Sequence, residues 1–134
     1  MKILILCTGN SCRSQIAHGF IQAFNPTFDV HSAGTKPSEQ VNPKAIEVMH
    51  EAGIDLSSHF PKNVAQYLNE EWDYVITVCG GANESCPNFI GKVANRLHIG
   101  FDDPSDAIGD IEFVMSEFRR VRDEIKQKFA SFNF

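Results

Sequence analysis

The sequence of 134 residues has no excess of positive charge, no long apolar run, no internal repeat, no low-complexity tract and no Gly/Ser linker. Each absence narrows the field. A formal net charge of -5 argues against the broad basic face that nucleic acid requires, so any anion the chain binds must be held by a local site. The apolar run after Met1 and Lys2 meets polar residues by Thr8, too short for a secretory core or a membrane span. A cytoplasmic protein without membrane contact is expected. With 43% hydrophobic residues and no linker, residues 1–134 suffice for one compact domain and not for two. A monomer is the default expectation for a small acidic domain.

Zinc-ligand spacing is missing too. Among four cysteines and five histidines, only Cys7 and Cys12 come near the usual separation, and their loop has another use, described below. No metal is expected. Four cysteines in a chain without an export signal fit catalytic thiols or a metal site better than a permanent disulfide framework. A single cysteine is more often a small buried hydrophobe, so the neighbours of each must decide.

What is present is an alternation of strand and helix patterns. Ile3 to Cys7 reads as a buried strand ending at Thr8-Gly9-Asn10. From Arg13 onward, Ile16, Ala17, Phe20, Ile21 and Phe24 recur at helical spacing until Asn25-Pro26. Phe28 to Ser32 predicts a second strand. Asn42 is placed to cap a helix with Pro43 at its first position and Gly53 just past its end. Asn63 to Leu68 predicts a shorter helix, Tyr74 to Cys79 a third strand, and Leu97 to Ile99 a fourth. Val114, Phe118, Val121, Ile125 and Phe129 form the apolar stripe of a long final helix. Pro87 to Arg96 has no clear pattern. The expected architecture is a three-layer α/β/α domain around a four-stranded parallel sheet. In such a sheet ligands bind beyond the carboxyl ends of the strands, and Cys7 and Cys79 both stand at predicted strand ends.

The segment Cys7-Thr8-Gly9-Asn10-Ser11-Cys12-Arg13-Ser14 sets five residues between a cysteine and an arginine, between a strand and a helix. Successive backbone N–H groups of a tight loop form an anion-binding concavity, and the helix N-terminus adds positive charge. Gly9 and Asn10 tolerate left-handed dihedrals. Arg13 offers two parallel hydrogen bonds to a tetrahedral oxyanion. The same field is expected to lower the pKa of Cys7 into the range of a competent nucleophile, with Ser14 as a hydrogen-bond partner of its sulfur.

These residues, with Gln15, Ser-Ala-Gly at 32 to 34, Asn-Pro-Lys-Ala at 42 to 45, Cys79, Cys86-Pro87, Gly-Phe-Asp-Asp-Pro at 100 to 104 and Arg-Val-Arg-Asp-Glu-Ile at 120 to 125, resemble the low-molecular-weight tyrosine phosphatase fold over nearly the whole chain. Within it they resemble the thioredoxin-coupled arsenate reductases. The resemblance implies an oxyanion cradle of Thr8, Gly9, Asn10, Ser11, Cys12 and Arg13, and Asp103 as the acid that protonates the departing oxygen, with Asp102 a weaker candidate. It further implies that Cys7 attacks arsenic, that Cys79 then attacks Cys7 and releases arsenite, and that Cys86 attacks Cys79 to leave a disulfide that thioredoxin reduces, with no bound cofactor. If 79–86 formed a regular helix, the Cα atoms of Cys79 and Cys86 would stand ~10 Å apart. A disulfide tolerates less than ~7 Å, so that segment would have to loop or unwind. An order-to-disorder switch over residues 80 to 92 on oxidation is expected.

Cys12 reads as structural or as a side oxidation site. Some reductases of this type hold potassium through an asparagine and a serine matching Asn10 and Ser32. Here His18 and Lys62 replace the carboxylates, and the Lys62 ammonium is expected to supply the positive charge. Of the other histidines, His31, His50 and His98 read as packed or solvated, and His59 as a neighbour that tunes Lys62. Two other functions fit the pattern: a low-molecular-weight protein tyrosine phosphatase, against which Ser105 stands where phosphatases usually carry an aromatic residue, and a non-enzymatic redox sensor or oxyanion-binding regulator.

Overall fold

The computed structural model describes residues 1–81 and 87–134. Four strands, β1 (Lys2–Cys7), β2 (Asp29–Gly34), β3 (Trp72–Thr77) and β4 (Val93–His98), form one parallel sheet in the order β2-β1-β3-β4. β1 lies between two neighbours, and Ile3, Leu4, Ile5 and Leu6 are fully buried, which is why the strand reads as an unbroken apolar run. β4 is an edge strand whose residues are mostly exposed. With so little of it buried, it carries no alternation that a sequence reading can detect, and its start at Val93 lies within the stretch that reads as patternless.

Helix α1 (Arg13–Phe24) follows β1 and lies against β1 and β2, burying Ile16, Ala17, Phe20 and Ile21. Helix α2 (Pro43–Glu51) begins as expected, the Asn42 side chain accepting the Lys44 N–H, and Gly53 adopts φ +82° beyond its end. The short helix expected at 63–68 is a 3-10 turn at Val64–Tyr67, capped by Asn63. Helix α3 (Ile111–Ala130) packs across α1 and α2. Its buried stripe is Met115, Phe118, Val121, Ile125 and Phe129, so Met115 takes the first place that Val114 holds in the sequence pattern. Asp110 caps it by accepting the Phe113 N–H.

β3 begins and ends two residues earlier than the apolar run suggests, because Trp72 pairs with Val93 and Val78 already belongs to the turn. Cys79 therefore sits two residues beyond the strand, still at the carboxyl end of the sheet and beside Cys7 at the end of β1. Cys86 lies outside the described residues, as does the stretch between it and Gly81 on which the unwinding of 79–86 turns. Among the described residues no helix is long and apolar enough to cross a membrane.

Candidate active site

The loop from Cys7 to Arg13 is shaped by where its carbonyls go. Cys7, Thr8, Gly9 and Ser11 accept the N–H groups of Thr35 (3.3 Å), Lys36 (2.9 Å), Ser38 (2.8 Å) and Asn42 (2.8 Å), all from the segment that leads from β2 into α2. The Asn10 carbonyl accepts Gln15 Nε2 at 3.1 Å, and the Cys12 carbonyl accepts the Ile16 N–H at 2.9 Å as the first bond of α1. In a trans peptide the N–H points opposite to the C=O, so six satisfied carbonyls leave the N–H groups of Thr8 to Arg13 facing the other way, around the Cys7 sulfur. Such an arrangement has the form of an anion-binding nest. Gly34 makes the close approach possible, since a Cβ there would stand 2.4 Å from the Thr8 carbonyl oxygen.

Asn10 takes φ 52°, in the left-handed region, and is fully buried. Three hydrogen bonds hold it there: Nδ2 donates to Ser14 Oγ (2.8 Å), Oδ1 accepts the Lys62 N–H (3.0 Å), and the carbonyl accepts Gln15. The Ser14 hydroxyl oxygen is the acceptor that fixes Asn10, which leaves its O–H free to donate, and the Thr8 N–H faces the Cys7 sulfur.

Arg13 opens α1 and reaches across to the loop after β4. Its Nη1 donates to the Phe101 carbonyl (3.1 Å) and its Nη2 to Asp103 Oδ2 (3.2 Å). Nε is buried and meets no acceptor among the described residues. An orphan donor of this kind is costly, and an oxyanion in the nest is the acceptor its position suits. Asp103 is extended (φ -87°, ψ 107°) ahead of Pro104 and accepts both the N–H and the hydroxyl of Ser105 on Oδ1 (3.0 and 2.6 Å). Asp102 faces Arg120 at the surface, at 3.3 Å.

Cys7 and Cys79 are both buried, and Cys79 stands close enough to bear on the Cys7 thiol. The expected lowering of the Cys7 pKa does not hold in this arrangement. The bond to Cys79 and burial push it up and outweigh Arg13 and the Thr8 N–H, which pull it down. The cation and the helix terminus are visible in the sequence, whereas a second thiol set against the first arises only on folding. Thr8 Oγ1 lies 3.4 Å from Cys79 Sγ. Cys12 precedes α1 and is buried, its pKa pushed up to about 12 by burial and by the Asp103 charge against the opposing pull of Arg13. That setting disfavours its thiolate.

Behind the loop, Ser32 Oγ and His18 Nδ1 are hydrogen-bonded at 3.0 Å, the rings of His18 and His59 lie 4.8 Å apart, and His59 Nδ1 donates to Gln15 Oε1 at 3.0 Å. His18 is held down to about 3, first by burial and then by the charges of His59, Lys62 and His31, so it is neutral at physiological pH. An unfolded chain takes a proton on this residue near 6.5, and the folded one does not until about 3, so through that window the unfolded state binds more protons. The urea midpoint should therefore fall as pH drops from 7 to 5, by up to about 1.4 kcal/mol of stability per unit from this group, and His18→Gln should flatten the slope. Equal slopes in both proteins would contradict it.

The role of Gln15 is not legible in the sequence, although a glutamine beside the apolar positions of α1 is a signal that something behind the loop needs its amide. Nor is that of segment 35–42, because its contribution is backbone N–H groups, which no residue type announces.

The family model described as low molecular weight phosphotyrosine protein phosphatase matches residues 2–133. An arsenate reductase of Halalkalibacterium halodurans is 44% identical over 131 residues, 97% of this chain and 93% of that protein. A solved arsenate reductase in the phosphate binding state superposes with a TM-score of 0.79 at 29% identity, covering 96% of this chain and 92% of the other. A low molecular weight protein tyrosine phosphatase from T. tengcongensis gives a TM-score of 0.76 at 25% identity, over 96% and 95% of the two chains.

Proposed function

The chain belongs to the low molecular weight phosphotyrosine protein phosphatase family, and within it we propose that this protein reduces arsenate to arsenite with electrons from thioredoxin. The observation that carries the reading is a second buried thiol, Cys79, close enough to Cys7 to raise its pKa, with its sulfur 3.4 Å from the Thr8 hydroxyl of the same loop. Phosphoryl transfer needs a nucleophile, an arginine and an acid; it has no use for a second thiol against the first. Reduction does. The relatives named as arsenate reductases support the same choice.

In the first step the nest and Arg13 hold the arsenate. The Cys7 sulfur bonds to arsenic, an As–OH bond breaks, and the hydroxyl leaves as water with a proton from Asp103. The thiol proton of Cys7 replaces the one Asp103 gave, so the site ends the step as it began it. Cys79 then attacks the Cys7 sulfur: an S–S bond forms, the S–As bond breaks, and the electron pair stays on arsenic, which leaves as arsenite in the +3 state carrying the Cys79 proton. Cys86 next attacks Cys79, returning Cys7 as a thiol, and the dithiol of thioredoxin reduces the Cys79–Cys86 disulfide.

Potassium does not fit behind this loop. The Asn10 side-chain oxygen already accepts the Lys62 N–H, Ser32 pairs with His18, and an imidazole and an ammonium stand where a hard cation would need carboxylates. We assign the positive charge there to Lys62, whose Nζ bonds the Phe60 carbonyl at 3.2 Å.

Arsenate-dependent NADPH consumption with thioredoxin and its reductase tests the proposal, run beside aryl-phosphate hydrolysis. Consumption that saturates with arsenate is expected. Hydrolysis without any arsenate-dependent consumption would make the protein a phosphatase.

A further inference from the structure

Asp103 is held by more than the turn it begins. Any residue at 105 donates its backbone N–H to Asp103 Oδ1, as the capping of the Pro104–Asp106 turn requires, but only a hydroxyl adds a second donor to the same oxygen. The Ser105 hydroxyl does so at 2.6 Å, a short charge-assisted bond. Oδ1 is thereby doubly bonded, and the other oxygen, Oδ2, is left toward Arg13, the residue that ends the Cys7 loop, at 3.2 Å. Pro104 is buried and fixes the backbone between the two residues, so the remaining freedom of the carboxyl group is rotation about its own side chain. The second bond from Ser105 opposes that rotation.

We infer that Ser105 is a positioning residue whose hydroxyl holds the Asp103 carboxyl group with Oδ2 turned into the nest, so that the transferable proton rides on the oxygen nearest the departing group. This rests on the reading of Asp103 as the acid. The hydroxyl touches neither substrate nor sulfur and acts wholly through Asp103. Its effect should therefore scale with how much the leaving group needs a proton.

Two aryl phosphates separate that need. In each, the Cys7 thiolate bonds to phosphorus, the P–O bond to the ring breaks, and the electron pair goes to the aryl oxygen. Phenolate requires the Asp103 proton to leave as phenol, whereas nitrophenolate leaves without it. The experiment compares kcat/KM for phenyl phosphate and p-nitrophenyl phosphate in the unaltered protein, Ser105→Ala, Ser105→Thr and Asp103→Asn, with the inhibition constant of inorganic phosphate as the readout of an intact nest. The expected result for Ser105→Ala is a loss of about tenfold with phenyl phosphate, a loss within about threefold with the nitro ester, and an unchanged phosphate inhibition constant. Ser105→Thr should restore both. Equal losses on the two esters, no loss on either, or no hydrolysis by the unaltered protein would overturn the inference. If Asp103→Asn discriminates between the esters and Ser105→Ala does not, only the role of Ser105 falls. If Asp103→Asn fails to discriminate, the acid falls with it, and neither outcome bears on whether arsenate is reduced.

Discussion

Replacing Cys79 with serine is expected to bring arsenate reduction to the background rate while sparing aryl-phosphate hydrolysis. The contrast follows from what each reaction asks of the site. Hydrolysis uses the sulfur of Cys7, the Arg13 fork and the Asp103 proton, all of which lie on β1, α1 and the loop after β4. Reduction also needs an electron pair delivered to arsenic through the Cys7 sulfur, and a serine hydroxyl is too weak an acid and too poor a nucleophile toward sulfur to start it. Cys86→Ser should instead release one arsenite per chain and stop. The Cys79 bond is also the largest of the influences that keep the Cys7 proton in place. In Cys79→Ala, then, Cys7 should be alkylated faster by iodoacetamide at neutral pH, since Arg13 and the Thr8 N–H still favour the thiolate. Slower alkylation in that variant, or loss of hydrolysis in Cys79→Ser, would show that the pair of thiols has been misread.

The second large effect belongs to Arg13. Lysine keeps the charge and loses the geometry: one ammonium cannot hold the Phe101 carbonyl, the Asp103 carboxylate and the anion that the buried Nε awaits. Arg13→Lys should lower kcat/KM by roughly 10²- to 10³-fold for arsenate and for aryl phosphates alike. Phosphate should bind more weakly in the same variant, by calorimetry or by inhibition. A variant that keeps phosphate affinity would mean that the nest of N–H groups holds the anion alone.

Much of this was legible in the residues, and the reason differs from place to place. β1 and α1 were readable because burial imposes period and because Thr8-Gly9-Asn10 interrupts it. Asn42 was readable as a cap because a short side-chain acceptor ahead of a helix has few other uses. The boundaries of β3 and β4 were not, since strand ends are set by pairing partners and β4 is mostly exposed. In the site, Cys7 and Arg13 announced themselves by type and spacing, and Asp103 through the resemblance alone. The direction of the Cys7 pKa did not, because it depends on a contact between the last residue of β1 and a residue just beyond β3. Neither did the roles of Gln15, Ser105 and segment 35–42, which are matters of which hydrogen bond a group makes once the chain has folded.

The most direct measurement adds one equivalent of arsenate to the fully reduced protein with no reductant present, then counts arsenite and maps disulfides by mass spectrometry. Close to one arsenite per chain, with Cys79 joined to Cys7 or to Cys86 and Cys12 left as a thiol, is the predicted result. Arsenate recovered unchanged over a chain whose four cysteines remain thiols would contradict it.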